Sequence, residues 1–274
     1  MHSRPGPDDS ALRTAHPHDM GVQEFASYAV IVDTRSPEAY AEDHVPGAIS
    51  VPLEQAARRT QSGRRSRQAS PRSRPDHASA LLDSASRLQS GDAVLLYGAG
   101  ADAALSDATS ALRDRNLVVD VLAGGWAAYR RWVRAGLEVL PRRFALRVLA
   151  TPAGASAERV ADALGDFGEQ VIDFGACLGA DRGIGTTRAH RQVLTQSALE
   201  TCLLDTLRHR ETDRILWVAG ALELPAALQL PAAMREALAR APEVRVDPSA
   251  PEAIGSQLDR LLLRPRDDDG QSKP

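Results

Sequence analysis

Cys177 and Cys202 are the only thiols in this 274-residue chain, and Lys273 is its only lysine. Chemistry that needs a thiolate, or an ammonium to hold a phosphate, has few places to occur. Cys202 sits in a helical pattern of leucines (Leu199, Leu203, Leu204, Leu207), which points to core packing. Cys177 follows an apolar run ending at Asp173, in a glycine-bearing stretch with no base paired to it, and reads as a small buried residue, the alternative being a reactive thiol. A third candidate is Gly98-x-Gly100-x-x-Ala103, which follows an apolar run and opens a helical pattern ahead of Asp120. That spacing matches a dinucleotide fingerprint, in which glycine amides approach a pyrophosphate and an acid binds the ribose. Asp120 is followed by two more apolar residues, so it does not end its strand as such an acid should.

Basic residues form the other cluster. Arg58, Arg59, Arg64, Arg65, Arg67, Arg72 and Arg74 occur with no acid among them, spaced by Ser, Gln, Gly and Pro. The functional reading is an electrostatic contact to RNA phosphates, with Arg130, Arg131, Arg142 and Arg143 as further donors. The alternative is a solvated insertion, since no aromatic is interleaved to stack on a base. The whole chain carries a net charge of −3, which opposes strong nucleic-acid binding. Of its 33 basic residues 32 are arginine, the better bidentate donor to phosphate. No apolar run reaches the ~18 residues that would cross a bilayer, and two cysteines make no disulfide framework. A cytoplasmic location with no membrane partner, no metal and no cofactor is the expectation.

These residues must be positioned by short elements. Strands are expected at residues 29–33, 93–97, 117–122, 146–150, 170–173, 215–219 and 243–246, all rich in Val, Ile and Leu. Helical patterns occupy 37–43, 101–115, 126–137, 157–167, 195–208, 231–240 and 251–263. Such alternation predicts parallel sheets covered on both faces. Residues 1–20 read as a disordered leader, 21–140 and 141–264 as two α/β domains divided near Pro141, and 265–274 as a disordered tail. Residues 58–74 read as a mobile loop in the first domain.

Two stretches carry a resemblance. Asp33-Thr34-Arg35 followed by His44-Val45-Pro46-Gly47-Ala48, and later Gly124-Gly125-Trp126-Ala127-Ala128-Tyr129, resemble the opening and close of a rhodanese (sulfurtransferase) domain. Within that resemblance Asp33, Arg35, His44, Pro46, Gly47, Gly124 and Gly125 are structural, with Arg35 tying loops together. Followed by a P-loop-like α/β domain, the order of parts resembles bacterial tRNA 2-selenouridine synthase, which exchanges sulfur for selenium on a wobble 2-thiouridine. Val171-Ile172-Asp173, Arg182-Gly183, Thr195-Gln196-x-x-x-Glu200, Leu216-Trp217-Val218 and Leu230-Pro231-x-x-Met234 are similar to further landmarks of that family, in the same order.

The departures fall on the positions that would carry chemistry. The resemblance implies a persulfide-bearing cysteine at the start of the loop Gly98, Ala99, Gly100, Ala101, Asp102, Ala103, and its place is taken by Gly98. Asp102 adds negative charge where an anionic sulfur would sit. The implied phosphate loop spans Thr151, Gly154, Ser156, Ala157 and Glu158, with Ala157 at the lysine position and Glu158 at the Mg²⁺-binding Ser/Thr position. The resemblance, so altered, implies a protein without the transferase reaction that retains contact with tRNA or a partner protein. The alternatives are an active tRNA-modifying transferase using other residues, and dinucleotide binding through Gly98–Ala103.

Overall fold

The computed structural model describes residues 13–17, 25–53, 88–99, 103–150, 157–174, 195–219, 224 and 226–246. The Arg-rich run 58–74, Gly100 to Asp102, residues 151–156, Cys177, the helical pattern 251–263 and the tail 265–274 lie outside these residues. The chain is an α/β protein with two parallel sheets. It divides into two compact units: residues 1–136 with 192–208, and residues 137–191 with 209–274.

In the first unit the strands are β1 (Arg13–Ala15), β2 (Val30–Asp33), β3 (Ile49–Ser50), β4 (Ala93–Tyr97) and β5 (Val118–Leu122). They lie in the order β1-β5-β4-β2-β3, all parallel. Central β4 is apolar on both faces, and Val94 to Tyr97 are at most 1% exposed. That continuous burial is what a sheet covered on both sides demands. Helix α1 (Pro37–Glu42) starts on the Ser36 hydroxyl, which accepts from the Ala39 amide, with proline at the first helical turn. Helix α2 (Ala103–Arg113) buries Leu105, Ala108 and Leu112 against Val32, Val94, Leu96, Val119 and Val121. Helix α3 (Gly125–Val139) buries Tyr129, Val133 and Leu137.

Two features correct the sequence reading. Residues 13–15, expected within a disordered leader, form β1, paired in register Arg13↔Asp120 to Ala15↔Leu122. The Ala123 amide donates to the Ala15 carbonyl at 2.7 Å. A strand held this way needs only an open sheet edge and its own backbone, so neither composition nor periodicity marks it. The second is α5 (Gln196–Arg208), which belongs to the first unit although the sequence places it late in the second domain. It is capped by Thr195, whose hydroxyl accepts from Ala198, and it buries Leu199, Leu203, Leu204 and Leu207. Each such leucine contributes about 1.5–3 kcal/mol on burial.

The second unit holds β6 (Ala145–Ala150), α4 (Ala157–Asp166), β7 (Gln170–Asp173), β8 (Ile215–Ala219), α6 (Ala232–Arg240) and β9 (Glu243–Arg245). A 3₁₀ turn at Leu140–Arg143 precedes β6. Sheet order is β7-β8-β6-β9, again parallel. From β6 the chain goes to β7 at one edge, returns to β8, then crosses to β9 on the other side of β6. That reversal places a topological switch point at the carboxyl ends of β6 and β8. The core joins Leu149, Val160, Leu164, Trp217, Ala219 and Val246. Among the described residues no helix is long and apolar enough to cross a membrane.

Candidate functional site

The carboxyl end of β4 is where the sequence motifs of the first unit meet. The Tyr97 carbonyl accepts from both the amide (2.9 Å) and hydroxyl (3.0 Å) of Thr34, fixing β2's exit beside β4. Arg35 then folds back on Asp33: Nε lies 3.0 and 3.1 Å from the two carboxylate oxygens, and NH2 2.6 Å from Oδ2. NH2 also donates to the Asp43 carbonyl at 2.6 Å, and the guanidinium stacks 3.8 Å from the Trp126 ring centroid. Asp33 is 0% exposed and Arg35 8%, and the pair joins the loop after β2 to the end of α1 and to Trp126. A buried pair so fully bonded is structural, and breaking it is far costlier than never having it.

Turn residues His44, Pro46 and Gly47 complete this corner. Gly47 has φ +78°, a left-handed conformation that only glycine adopts readily. His44 Nδ1 lies 2.9 Å from the Tyr40 carbonyl oxygen, and its ring stacks on Tyr40 at 4.0 Å. Tyr40 donates to the Ala48 carbonyl, and the Val45 amide donates to the Tyr97 hydroxyl at 3.1 Å. Burial, then the Asp33 charge, hold the Tyr97 phenol far above its ordinary range, so it stays neutral.

The loop itself begins at Gly98, which is buried, and Ala99, which is exposed. The Gly98 carbonyl accepts from the Trp126 amide at 2.9 Å. This bond requires the Gly124-Gly125 pair: both have positive φ, +69° and +55°. A Cβ on Gly125 would sit 2.6 Å from the Gly98 oxygen. Neither Gly98 nor Ala99 offers a nucleophile, acid or base. Ala103 opens α2, and its side chain lies outside the described residues, as do Gly100, Ala101 and Asp102.

Asp120 does not fit the dinucleotide reading. It lies mid-strand, opposite Leu95 and Arg13, and accepts from the Tyr28 hydroxyl at 2.9 Å. It therefore does not end its strand, as a ribose-binding acid should.

Residues 21–131 match the family described as rhodanese-like domain. The first unit of this chain contains a rhodanese-like domain. No curated protein matches the chain. The rhodanese-like domain of the Alr3790 protein from Anabaena sp. is 23% identical, covering 44% of this chain and 75% of its own, with TM-score 0.30. The BH2092 protein from Bacillus halodurans is 22% identical, covering 43% and 72%, also with TM-score 0.30.

Of the arginines read as RNA contacts, Arg58 to Arg74 lie outside the described residues and Arg131 is exposed. Arg130 is a correction. It is 8% exposed, ion-paired to Asp43 at 3.1 Å and to Glu200 at 2.5 Å, and donates to Thr201 Oγ1 at 2.8 Å and the Ser197 carbonyl at 3.0 Å. A guanidinium with those commitments is not presented to phosphate. The signal was in the helix period: Arg130 shares a face with Trp126, Val133 and Leu137, whereas Arg131 does not. Asp43 and Thr201 had no sequence signal, and Glu200 stood out only within Thr195-Gln196-x-x-x-Glu200, because the meeting of α5 with α3 and the end of α1 at Arg130 is set by the fold.

In the second unit, Ala157 and Glu158 open α4 with their side chains outside the described residues, as are Thr151, Gly154 and Ser156. Arg142 is exposed, paired with Glu236 at 3.1 Å, and Arg143 is exposed. A cavity of about 630 Å³ lies at the other end of this sheet, lined by Phe144, Arg147, Asp213, Ile215, Arg240 and Pro242. It sits at the strand starts, away from the switch point. Cys202 is half-buried, so it is not the core residue its leucine neighbours predicted. Among the described residues no cluster of His, Cys, Asp and Glu could hold a metal.

Proposed function

We propose that this protein keeps the rhodanese-like framework as a binding scaffold and performs no persulfide chemistry. Its layout resembles tRNA 2-selenouridine synthase, and the role that remains is contact with tRNA through Arg58–Arg74, or with a partner protein. The observation that carries this reading is the loop after β4. Its first residue is Gly98, its carbonyl is bonded to the Trp126 amide, and no cysteine occurs before Cys177. A persulfide requires a thiolate where loop amides and a helix N-terminus converge, and residues 98–103 include no sulfur-bearing residue.

The strand order β7-β8-β6-β9 supports a P-loop-like origin for the second unit, since β6 itself ends at the switch point. Without a lysine in the segment after β6, and with Glu158 on the first turn of α4, phosphate binding loses a charge-assisted contact of about 1.5–3 kcal/mol.

The test is thiosulfate-dependent thiocyanate formation by purified protein, alongside tRNA retention in gel shifts over a salt series. No thiocyanate is expected, and tRNA affinity should fall with a log–log slope of roughly 0.7–0.9 per phosphate neutralised. Replacing Arg64, Arg65 and Arg67 with alanine should weaken binding and flatten that slope together. Thiocyanate release that survives loss of Cys177 and Cys202 would refute the non-catalytic reading. Absence of tRNA retention at low salt would leave partner-protein binding.

A further inference from the structure

Helix α5 reaches the first unit from far along the chain, and the contact is more than apolar. Its leucine face is joined by Thr201, 2% exposed, and Glu200, which meet Arg130 on α3 and Asp43 at the end of α1. Asp43 is 4% exposed; its Oδ2 lies 3.1 Å from Arg130 NH1 and accepts from the Thr201 hydroxyl at 2.9 Å. Arg130 NH2 serves Glu200. One buried guanidinium is thus shared by two carboxylates. The second cation nearby, Arg134, is 3.6 Å from Glu200 but 68% exposed, so it is screened by water. The enclosed part of the cluster carries an excess negative charge, which a medium of low dielectric constant disfavours.

We propose that docking of α5 creates a proton-binding site at Asp43, so that the helix is held more firmly in mild acid than at neutral pH. The proton comes from solvent and neutralises the more deeply enclosed carboxylate, leaving Arg130 to Glu200. Charged and titratable groups face Asp43 from each element packed against it. Before α1, Arg35 donates to the Asp43 carbonyl and is itself neutralised by Asp33. Beside it, Glu42 is exposed and His44 is held by the Tyr40 carbonyl. On α3 are Arg130 and Tyr129, whose phenol is kept neutral by burial. On α5 are Glu200 and, one turn further, Asp205 paired with Arg208 at 2.9 Å. None adds a second buried positive charge at the carboxylate.

The titration direction agrees. Burial pushes the Asp43 carboxyl up to about 6, against the lowering effects of Arg130, Thr201, the His44 amide and Arg35. The reference for the linkage is a carboxyl freed by departure of α5 and returned to its ordinary value, 3.8. The docked state then binds the proton more tightly, and docking weakens as pH rises through about 6. Linkage gives about a tenfold gain in docking between pH 7 and pH 5. A simple salt bridge has the opposite sign, loosening in acid.

The experiment uses the full chain. Carbon-13 carboxyl titration by nuclear magnetic resonance should show Asp43 inflecting near pH 6, and an inflection below about 4.5 overturns the proposal. Amide hydrogen exchange in α5, corrected for the intrinsic pH dependence, should slow about tenfold from pH 7 to 5. Exchange that speeds up in acid also overturns it. Glu200→Gln removes the competing carboxylate and should draw the Asp43 inflection down toward the ordinary range. An unmoved inflection in that variant would refute the shared-guanidinium cause. Asp43→Asn should abolish the pH dependence of α5 exchange, and its persistence would place the proton elsewhere.

Discussion

Replacing Gly125 with alanine tests the closure between the β4 loop and α3. The backbone there has φ +55°, and a Cβ in that region costs about 1–2 kcal/mol. The new methyl would sit 2.6 Å from the Gly98 carbonyl oxygen. That atom is backbone, so it cannot rotate away as a side-chain tip would. Relief requires opening the turn and stretching the 2.9 Å bond from the Trp126 amide, whose loss removes about 0.5–1.5 kcal/mol more. The expected destabilisation is about 1.5–3.5 kcal/mol. The control is Gly47→Ala, where φ is +78° but nothing lies within 4 Å of the new atom. It should cost only the backbone strain, about 1–2 kcal/mol. Urea unfolding of the full chain, followed by exchange of β4 and α3 amides, separates the first unit from the second. A Gly125→Ala penalty no larger than that of Gly47→Ala would refute the close approach as the reason for glycine at 125.

Arg130→Met should destabilise the first unit by about 3–5 kcal/mol, because Asp43 and Glu200 lose their common cation, whereas Arg131→Ala on the exposed side should stay within about 0.5 kcal/mol. Denaturant midpoints of the two variants decide this. Arg35→Lys should cost about 2–4 kcal/mol despite keeping the charge, since lysine cannot fork onto Asp33, reach the Asp43 carbonyl and lie flat on Trp126. At Gly136 a Cβ would come 2.7 Å from Leu204 Cδ1, a movable side-chain end. Gly136→Ala should therefore be near neutral, with the helix-propensity gain of about 1 kcal/mol offsetting the repacking, and Gly136→Leu should cost about 1–3 kcal/mol. Thermal unfolding distinguishes them.

What the sequence made legible follows from how local each signal is. Strands β2, β4, β5, β6, β7 and β8 were readable because each buries an apolar run by itself, and Pro37 after Ser36 marked the start of α1. The double glycine at 124 and 125 was readable as a motif, and its reason emerges only from the approach of Gly98. Strand β1 was invisible because three residues that join an edge by backbone pairing need no apolar run or period. The identity of the β4 loop was the most legible part of the site, since the absence of a cysteine from residues 98–103 is a fact of sequence.

The place of α5 was the least legible, and the reason is physical. Its leucine stripe says that one face is covered, but a helical stripe carries no address. What the stripe lacks is supplied by groups that are costly to enclose unless they meet one another: Thr201 and Glu200 on α5, Arg130 on α3, Asp43 after α1. Apolar matching tolerates a slide or a turn of the helix, while a buried guanidinium bonded to four partners does not. The charged cluster therefore fixes the register in which α5 sits, and the leucines provide most of the attraction. The same division explains why Arg130 could be mistaken for a surface donor. In the sequence it is one of two adjacent arginines, and in the fold the helix turns one of them inward and the other to water.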